Sequence, residues 1–292
     1  MTTTPETDDD GALIPEKGDR IAKVLARAGL CSRRDAEKWI LEGRVVLDGV
    51  KLTSPAITVT PGSIILVDGK ALPDAAPTRL WRYHKPAGLV TSHRDEKGRE
   101  TMFDKLPVEL GRVISVGRLD LNSEGLILLT NDGELARRLE LPSTGWIRRY
   151  KVRVHGTVDA DRLKLLEKGV TIEGIRYGAI KTELERQKGA NAWLTMSLTE
   201  GKNREIRRVM DYLGYSVTRL IRLSYGPFQL GLLERGEVEE VPRKVVREQL
   251  GAAAPAPAKP PRPARPASPA AGAQPAAQGP RDANRRRPAP RS

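Results

Sequence analysis

Cysteine is nearly absent from this 292-residue chain, which has only Cys31. A single thiol closes no intramolecular disulfide, so a stapled secreted scaffold is excluded and a reducing compartment is expected. Histidine is almost as scarce. His84, His93 and His155 stand far apart, and no Cys/His spacing suits zinc, so no metal is expected. No apolar run approaches the roughly 20 residues needed to span a bilayer, and the start MTTTPETDDD lacks the basic and apolar regions of a signal peptide. A cytoplasmic protein with no membrane contact is expected. GxGxxG and GxxxxGK[ST] are both missing, so no nucleotide cofactor is expected.

What the chain does have is positive charge. The 50 Lys and Arg outnumber the 37 Asp and Glu, for a net charge of +13. Glu6, Asp8, Asp9 and Asp10 make residues 1–16 acidic, whereas residues 251–292 carry eight basic groups and one acidic group. The body between the ends therefore keeps a positive excess of its own. A basic protein in a reducing compartment most often meets a polyanion, because each Lys or Arg laid on a phosphate releases a counterion. Nucleic acid is the leading partner on composition alone. In residues 251–292, Ala and Pro make up 25 of 42 positions and no large apolar side chain occurs, so this stretch reads as a disordered basic tail. Arg285, Arg286 and Arg287 fit either a solubilising role or nonspecific attraction to RNA.

The segment PDAAPT, residues 73–78, reads as a linker between two differently patterned blocks. In the first, residues 17–72, Ile21, Val24, Leu25 and Ala28 form one helical stripe ended by Gly29. Ser32 followed by Asp35 resembles a capping box opening a second helix, which Gly43 stops. RVVLDGVKL and SIILVDGKAL each place Asp-Gly between aliphatic runs, a strong hairpin signal. Basic residues gather on this unit: Arg20, Lys23, Arg27, Arg33, Arg34, Lys38, Arg44 and Lys51, with few interleaved acids. A solvated helix face is the plain reading; a positive surface for phosphate is the functional one. RIAKVLARAGLCSRRDAEKWILEGRVVLDGVKL resembles an S4 RNA-binding domain. That resemblance implies a helical pair docking on structured RNA, with Arg33, Arg34 and Lys38 best placed and Arg20, Lys23 and Arg44 beside them.

Residues 79–245 alternate apolar strand-like runs with short helical stretches, and the strands arrive in groups. An α+β domain with a mixed, mainly antiparallel sheet flanked by helices fits better than a doubly wound fold. Within VGRLDLNSEGLILLTNDGELARRL, Asp120 sits in a polar loop between two apolar runs, with Gly125 allowing a tight return. Strands flanking a loop are a good way to fix a carboxylate. By spacing alone, however, most loop aspartates bond a nearby backbone N–H or face water.

GRLDLNSEGLILLTNDG resembles the signature of the RsuA/RluB family of ribosomal RNA pseudouridine synthases. The likeness extends to YHKPAGLVTS, RRYKVRVHG and LTEGKNREIRRVM. Ser123 stands where the family more often has threonine, which keeps the hydroxyl. The resemblance implies that Asp120 is the catalytic carboxylate in the isomerisation of uridine to pseudouridine, attacking either C1′ of the ribose or C6 of the base. It implies Arg207 as the ion-pair partner of Asp120, able to hold a carboxylate bidentately. Tyr150 would stack on the flipped base, although the bare pattern suggests a core strand tyrosine. A base inside a stack cannot be reached and must be extruded, and Arg118 resembles the arginine that props the gap. Leu223 is expected to pack under the base. Lys85, Lys202, Arg204 and Arg208 are expected to contact RNA, and His84 and Pro86 to be structural or to touch RNA.

The EGKNREIRR and RLIRLSYGPF stretches look closer to the branch acting on 23S, large-subunit RNA. A small-subunit 16S enzyme and a noncatalytic S4-type assembly protein are the alternatives. A DNA-binding regulator would want a helix-turn-helix and dimer interface, which the sequence does not offer. The implied partner is ribosomal RNA or a pre-ribosomal particle, met by a monomer without cofactor.

Overall fold

The computed structural model describes residues 18–250; the expected acidic N-terminus and basic tail lie outside the described residues. The described residues fall in one compact unit. Its N-terminal part runs β1 (Asp19–Arg20), α1 (Ile21–Arg27), α2 (Arg33–Leu41), β2 (Val45–Leu47), β3 (Val50–Lys51), β4 (Thr58–Val59), β5 (Ile65–Val67) and β6 (Lys70–Ala71). Ser32 caps α2, its Oγ accepting from the Asp35 amide at 3.0 Å and donating to the Asp35 carboxylate at 2.6 Å. Asp48 and Gly49 both have positive φ, 48° and 83°, and so do Asp68 and Gly69, 50° and 76°. That is the backbone a two-residue hairpin with the twist of its strands requires. The two hairpins pair through β2 and β5 into a four-stranded sheet of order β3-β2-β5-β6. Ile21, Leu25, Ala36 and Ile40 from the helices close a small core over Val45 and Ile65.

The second part runs β7 (Leu80–Lys85), β8 (Ile114–Val116), β9 (Glu124–Thr130), α3 (Gly133–Glu140), β10 (Arg148–His155), α4 (Ala160–Lys164), β11 (Val170–Ile172), β12 (Ile175–Tyr177), β13 (Ile180–Lys188), β14 (Asn191–Leu198), α5 (Glu205–Tyr212), β15 (Ser216–Tyr225), β16 (Phe228–Gln229), β17 (Val238–Glu240) and α6 (Arg243–Leu250). Nine of these strands form one mixed sheet, ordered β13-β14-β10-β15-β9-β7-β17, with β8 on β9 and β16 on β15. Only β9 and β15 pair in parallel within it. The architecture is the expected α+β one. A larger core, with Tyr83, Ile127, Val152, Leu194 and Val209, covers one face; a second, with Leu126, Leu128, Leu139 and Val246, covers part of the other.

Gly125 departs from expectation. It lies inside β9, paired with Arg222 across the parallel junction, at φ +103°. It serves close approach of two strands and not a loop return. The Asn131-Asp132-Gly133 turn also does more than start a helix. Asp132 caps α3 through the Glu134 and Leu135 amides, accepts from Thr78 Oγ1 at 2.6 Å and lies 3.3 Å from Arg27 Nη2. Asn131 holds the Arg79 amide at 2.8 Å and the Pro77 carbonyl at 2.9 Å. The connection 73–78 and helix α1 are thus tied to the turn that follows β9.

Candidate active site

Asp120 lies in the loop 117–123 between β8 and β9. A run of backbone carbonyls, each met by a donor, fixes this loop. Thr91 Oγ1 donates to the Leu119 oxygen at 2.9 Å, the Ser123 amide to Asp120 at 3.0 Å, and the Gly88 amide to Leu121 at 2.8 Å. Arg207 Nη2 donates to the Asn122 oxygen at 3.0 Å. Beneath them Lys85, fully buried, directs Nζ at the carbonyls of Pro86 and Ser123, both at 3.0 Å, and of Asp120 and Leu121 at 3.3 and 3.4 Å. An ammonium has three hydrogens, so four oxygens share them. With the five carbonyls from Leu119 to Ser123 satisfied from within, the loop is held in shape by the protein around it.

Lys85 is therefore corrected from RNA contact to internal support. Its burial lowers the pKa to about 8, the charges of Asp120 and Glu124 working against that shift and Arg222 adding to it. His84, beside it, sets Nδ1 at 2.8 Å from the Leu233 carbonyl and is structural too.

The Asp120 carboxylate keeps 29% of its side-chain surface exposed, enough for a substrate atom to reach an oxygen. Helix α5 brings two guanidiniums to it. Arg204 Nη1 is 3.6 Å and Arg207 Nε 4.0 Å from Oδ2. The bidentate grip expected of Arg207 is corrected: its Nη1 donates to the Val217 carbonyl at 3.0 Å and its Nη2 to Asn122, so the fork reads the main chain. What faces the carboxylate is Nε, buried and without a hydrogen-bond partner. Burial lowers the pKa of Arg207, and the neighbouring Arg204 charge adds to this, against Asp120 and Asp211.

Arg204 precedes α5 in the left-handed region, φ +50°. Backbone strain of this kind persists only where the surroundings over-determine it. Here Glu205, buried, accepts from the Lys202 amide at 2.8 Å and sets the turn. Burial raises the pKa of Glu205, and the adjacent Glu200 carboxylate adds to the shift.

Tyr150 projects from β10 into the larger core, almost buried, in the cluster that holds Leu119, Ile206 and Leu220. Leu223 is corrected: it packs against the other core, with Tyr225 and Leu230. A residue that alternates with Leu220 along β15 by an odd step points to the opposite face. Leu220 is the buried apolar residue of this strand on the Tyr150 side, with the half-buried Val217 against the same core. Strict period-two counting from Leu220 would have found it.

The other sequence candidates divide by exposure. Arg118, Arg20, Arg33, Arg34, Lys38, Lys202 and Arg204 are exposed. Arg208 is half-buried, with Nη1 3.5 Å from the Tyr177 hydroxyl. Two further candidates are already ion-paired within the chain. Lys23 is bound by Asp19 at 2.7 Å and by Glu134. Arg44 is held bidentately by Asp68, at 2.9 and 2.6 Å, under the Trp39 ring. A cavity of about 1570 Å³ opens elsewhere, lined by Arg27 and Arg33 from the N-terminal part and by Arg112 and Arg137 from the second.

Among the described residues, no helix is long and apolar enough to cross a membrane, and no three His, Cys, Asp or Glu side chains could hold a metal ion together.

The sequence pattern described as RNA pseudouridylate synthase matches residues 79–212, and that of the S4 domain matches residues 19–65. An uncharacterized RNA pseudouridine synthase of Rickettsia prowazekii is 46% identical over 231 residues, covering 79% of this chain and 97% of that protein. The ribosomal large subunit pseudouridine synthase B of Salmonella typhi is 44% identical over 230 residues, covering 76% of this chain and 79% of its own. A solved structure described as the crystal structure of pseudouridylate synthase superposes with a TM-score of 0.56 at 25% identity, over 80% of this chain and 99% of the other.

Proposed function

Since the chain belongs to the RNA pseudouridine synthase family, we propose that it isomerises one uridine of large-subunit ribosomal RNA to pseudouridine, with Asp120 as the attacking carboxylate. The reaction breaks the N1–C1′ bond, turns the base and joins C5 to C1′. The hydrogen lost from C5 is matched by one gained at N1, so no redox partner or group donor is consumed. A carboxylate suits this chemistry, since sugar–base cleavage builds positive character that an anion stabilises or captures. Attack on C1′ and attack on C6 begin from the same carboxylate oxygen.

The observation that carries this reading is Asp120 Oδ2 set against Arg204 and Arg207 on a loop whose carbonyls from Leu119 to Ser123 are each hydrogen-bonded. An orienting cation and a fixed main chain let the carboxylate act with little reorganisation. Tyr150 and Leu220 line the side on which the extruded base would stack, and Arg118, exposed two residues before Asp120, is the prop for the vacated stack. The exposed Arg20, Arg33, Arg34 and Lys38 serve as phosphate contacts of the N-terminal domain, spanning 17–72, while 79–245 carries the chemistry. The enzyme works as a cytoplasmic monomer.

Changing Asp120 to Ala or Asn tests the reading. Pseudouridine formation on a ribosomal RNA transcript should fall by at least about four orders of magnitude, as for other lost nucleophiles, with RNA affinity nearly intact. Retained turnover would overturn it. Mapping pseudouridine in cells lacking the protein should reveal one missing site in the large-subunit RNA. A site missing from the small subunit would assign the other branch.

A further inference from the structure

We propose that the uncovered face of strands β13, β14 and β10, continued by Arg219 of β15 and opposite the face bearing Tyr150, is a second RNA-binding surface for a part of the substrate remote from the reacting uridine. This rests on the functional reading above and extends it to a face that the active site does not use.

The face follows from alternation. Along β10, Tyr150, Val152 and Val154 point into the larger core, so Arg149, Lys151 and Arg153 point the other way. On β14, Ala192, Leu194 and Met196 are buried while Trp193 and Thr195 are half-buried. The second core, where α3 and α6 supply Leu135, Leu139 and Val246, reaches this side over β9, β7 and the Ile221, Leu223 and Tyr225 end of β15, and takes no residue from β13, β14 or β10. Among the described residues no helix of the core covers Arg149 or Arg153, both exposed.

The register sharpens the case. Arg186 of β13 pairs with Trp193 of β14, Trp193 with Arg153 of β10, and Arg153 with Arg219 of β15. Three arginines and one tryptophan thus stand in a row across four strands. Like charges directly opposite one another weaken a sheet. The acids nearby answer only part of this charge. Glu185 answers Lys151, Glu183 answers Lys181, and Glu124 is shared by Arg219 and Arg235. No carboxylate lies within 4.0 Å of Arg149 or Arg153 among the described residues.

Charge complementarity selects the occupant. A protein partner would want a largely apolar, fully buried centre, whereas here Trp193 is the one apolar side chain in a row of arginines. An RNA strand brings phosphates to Arg149 and Arg153 and a base to Trp193, whose ring already has Lys151 Nζ 5.5 Å from its centroid.

The test uses the full chain with two substrates, the complete large-subunit transcript and a short fragment that still carries the modified uridine. The double variant Arg149→Gln/Arg153→Gln should raise KM for the long transcript roughly tenfold while leaving kcat, and KM on the fragment, within about twofold. For the long RNA, the slope of log affinity against log salt should become shallower by about 1.5, the worth of two phosphates. Arg153→Glu, which replaces a like pair by an opposite one, should give the same KM change without lowering the unfolding midpoint. RNA should quench tryptophan fluorescence in the wild type and less so in Trp193→Phe. An unchanged KM and slope on the long RNA would overturn the proposal. So would a KM rise confined to ribosomal particles, which would mean a protein contact, or an equal loss on both RNAs, which would mean damage reaching Tyr150. If the wild-type protein modifies neither RNA, the functional reading itself fails.

Discussion

The ammonium of Lys85 sits 3.3 Å beneath the carbonyl oxygen of Asp120, so the side chain that supports the reactive carboxylate does so through its main chain. The Pro86 and Ser123 carbonyls depend on this ammonium, whereas Asp120 and Leu121 also have amide donors. Replacing Lys85 by Met keeps the length, removes a buried charge and leaves those two oxygens without a donor. Removing a desolvated charge and losing hydrogen bonds oppose each other, so global stability should change by less than about 2 kcal/mol. Catalysis has no such compensation. A loop displaced by an ångström should reduce kcat by roughly a hundredfold, with RNA affinity unchanged. Comparing urea midpoints with single-turnover rates checks the split.

The same lysine gives a pH signature with two opposite signs. Folding lowers its pKa from 10.5 to about 8, so between those values the unfolded chain holds a proton that the folded chain has lost. Stability contributed at this site therefore rises with pH across that window. Activity should fall there, because a neutral amine has two hydrogens for four carbonyls and no longer adds positive charge under Asp120. The expected record is an alkaline limb in kcat with a midpoint about 8. The stability difference between wild type and Lys85→Met should grow from pH 8 to 10. A flat kcat profile would show that the loop does not depend on the ammonium.

Arg204 and Arg207 divide the task by burial. Arg207 is 12% exposed and joins the Val217 and Asn122 carbonyls to the carboxylate, a three-way contact that a single ammonium cannot reproduce. Arg207→Lys should lower kcat by roughly a hundredfold with little effect on KM. Arg204 is 51% exposed and lies on the approach to the site. Arg204→Gln should act mainly on KM for RNA and flatten its salt dependence by about one phosphate. Steady-state kinetics at two salt concentrations separate the two.

Much of this was legible in the sequence because it is local. The Ser32 cap, the Asp48-Gly49 and Asp68-Gly69 hairpins and the grouping of strands depend on neighbours a few residues apart, and each formed as the pattern implied. Asp120 and Arg207 could be named from motif likeness, and their nearness follows from α5 packing beside β15. What the sequence hid were partners from afar. Glu134 and Asp68 take up charges that looked ready for RNA, and the burial of Lys85 depends on a loop 35 residues downstream. Leu223 was misassigned because one step along a strand exchanges faces, and a run such as RLIRL has apolar residues on both.

Gly125 is a position where the fold leaves little freedom, and it joins the sheet to the catalytic loop. A Cβ there would stand 2.6 Å from the Arg222 amide nitrogen and closer still to its carbonyl oxygen, both backbone atoms that cannot swing away. The φ of +103° adds strain for any L side chain. Gly125→Ala must either part β9 from β15 or bend both, and should cost about 3 kcal/mol or more. Against a total of roughly 5–15 kcal/mol, that threatens folding. Because Glu124 leads directly out of the loop bearing Asp120, any folded fraction should also lose kcat. Gly133→Ala is the matched control. Its Cβ would meet only Arg33 Nη2 at 3.6 Å and Ile114 Cδ1 at 3.8 Å, at a φ that other residues adopt. That substitution, at the start of α3, should leave activity intact and stabilise by about 0.5 kcal/mol through the unfolded chain. Chemical denaturation of the pair distinguishes a backbone contact at Gly125 from a general intolerance of the sheet to added volume. Equal midpoints would remove the β9–β15 junction from the account of how Asp120 is held.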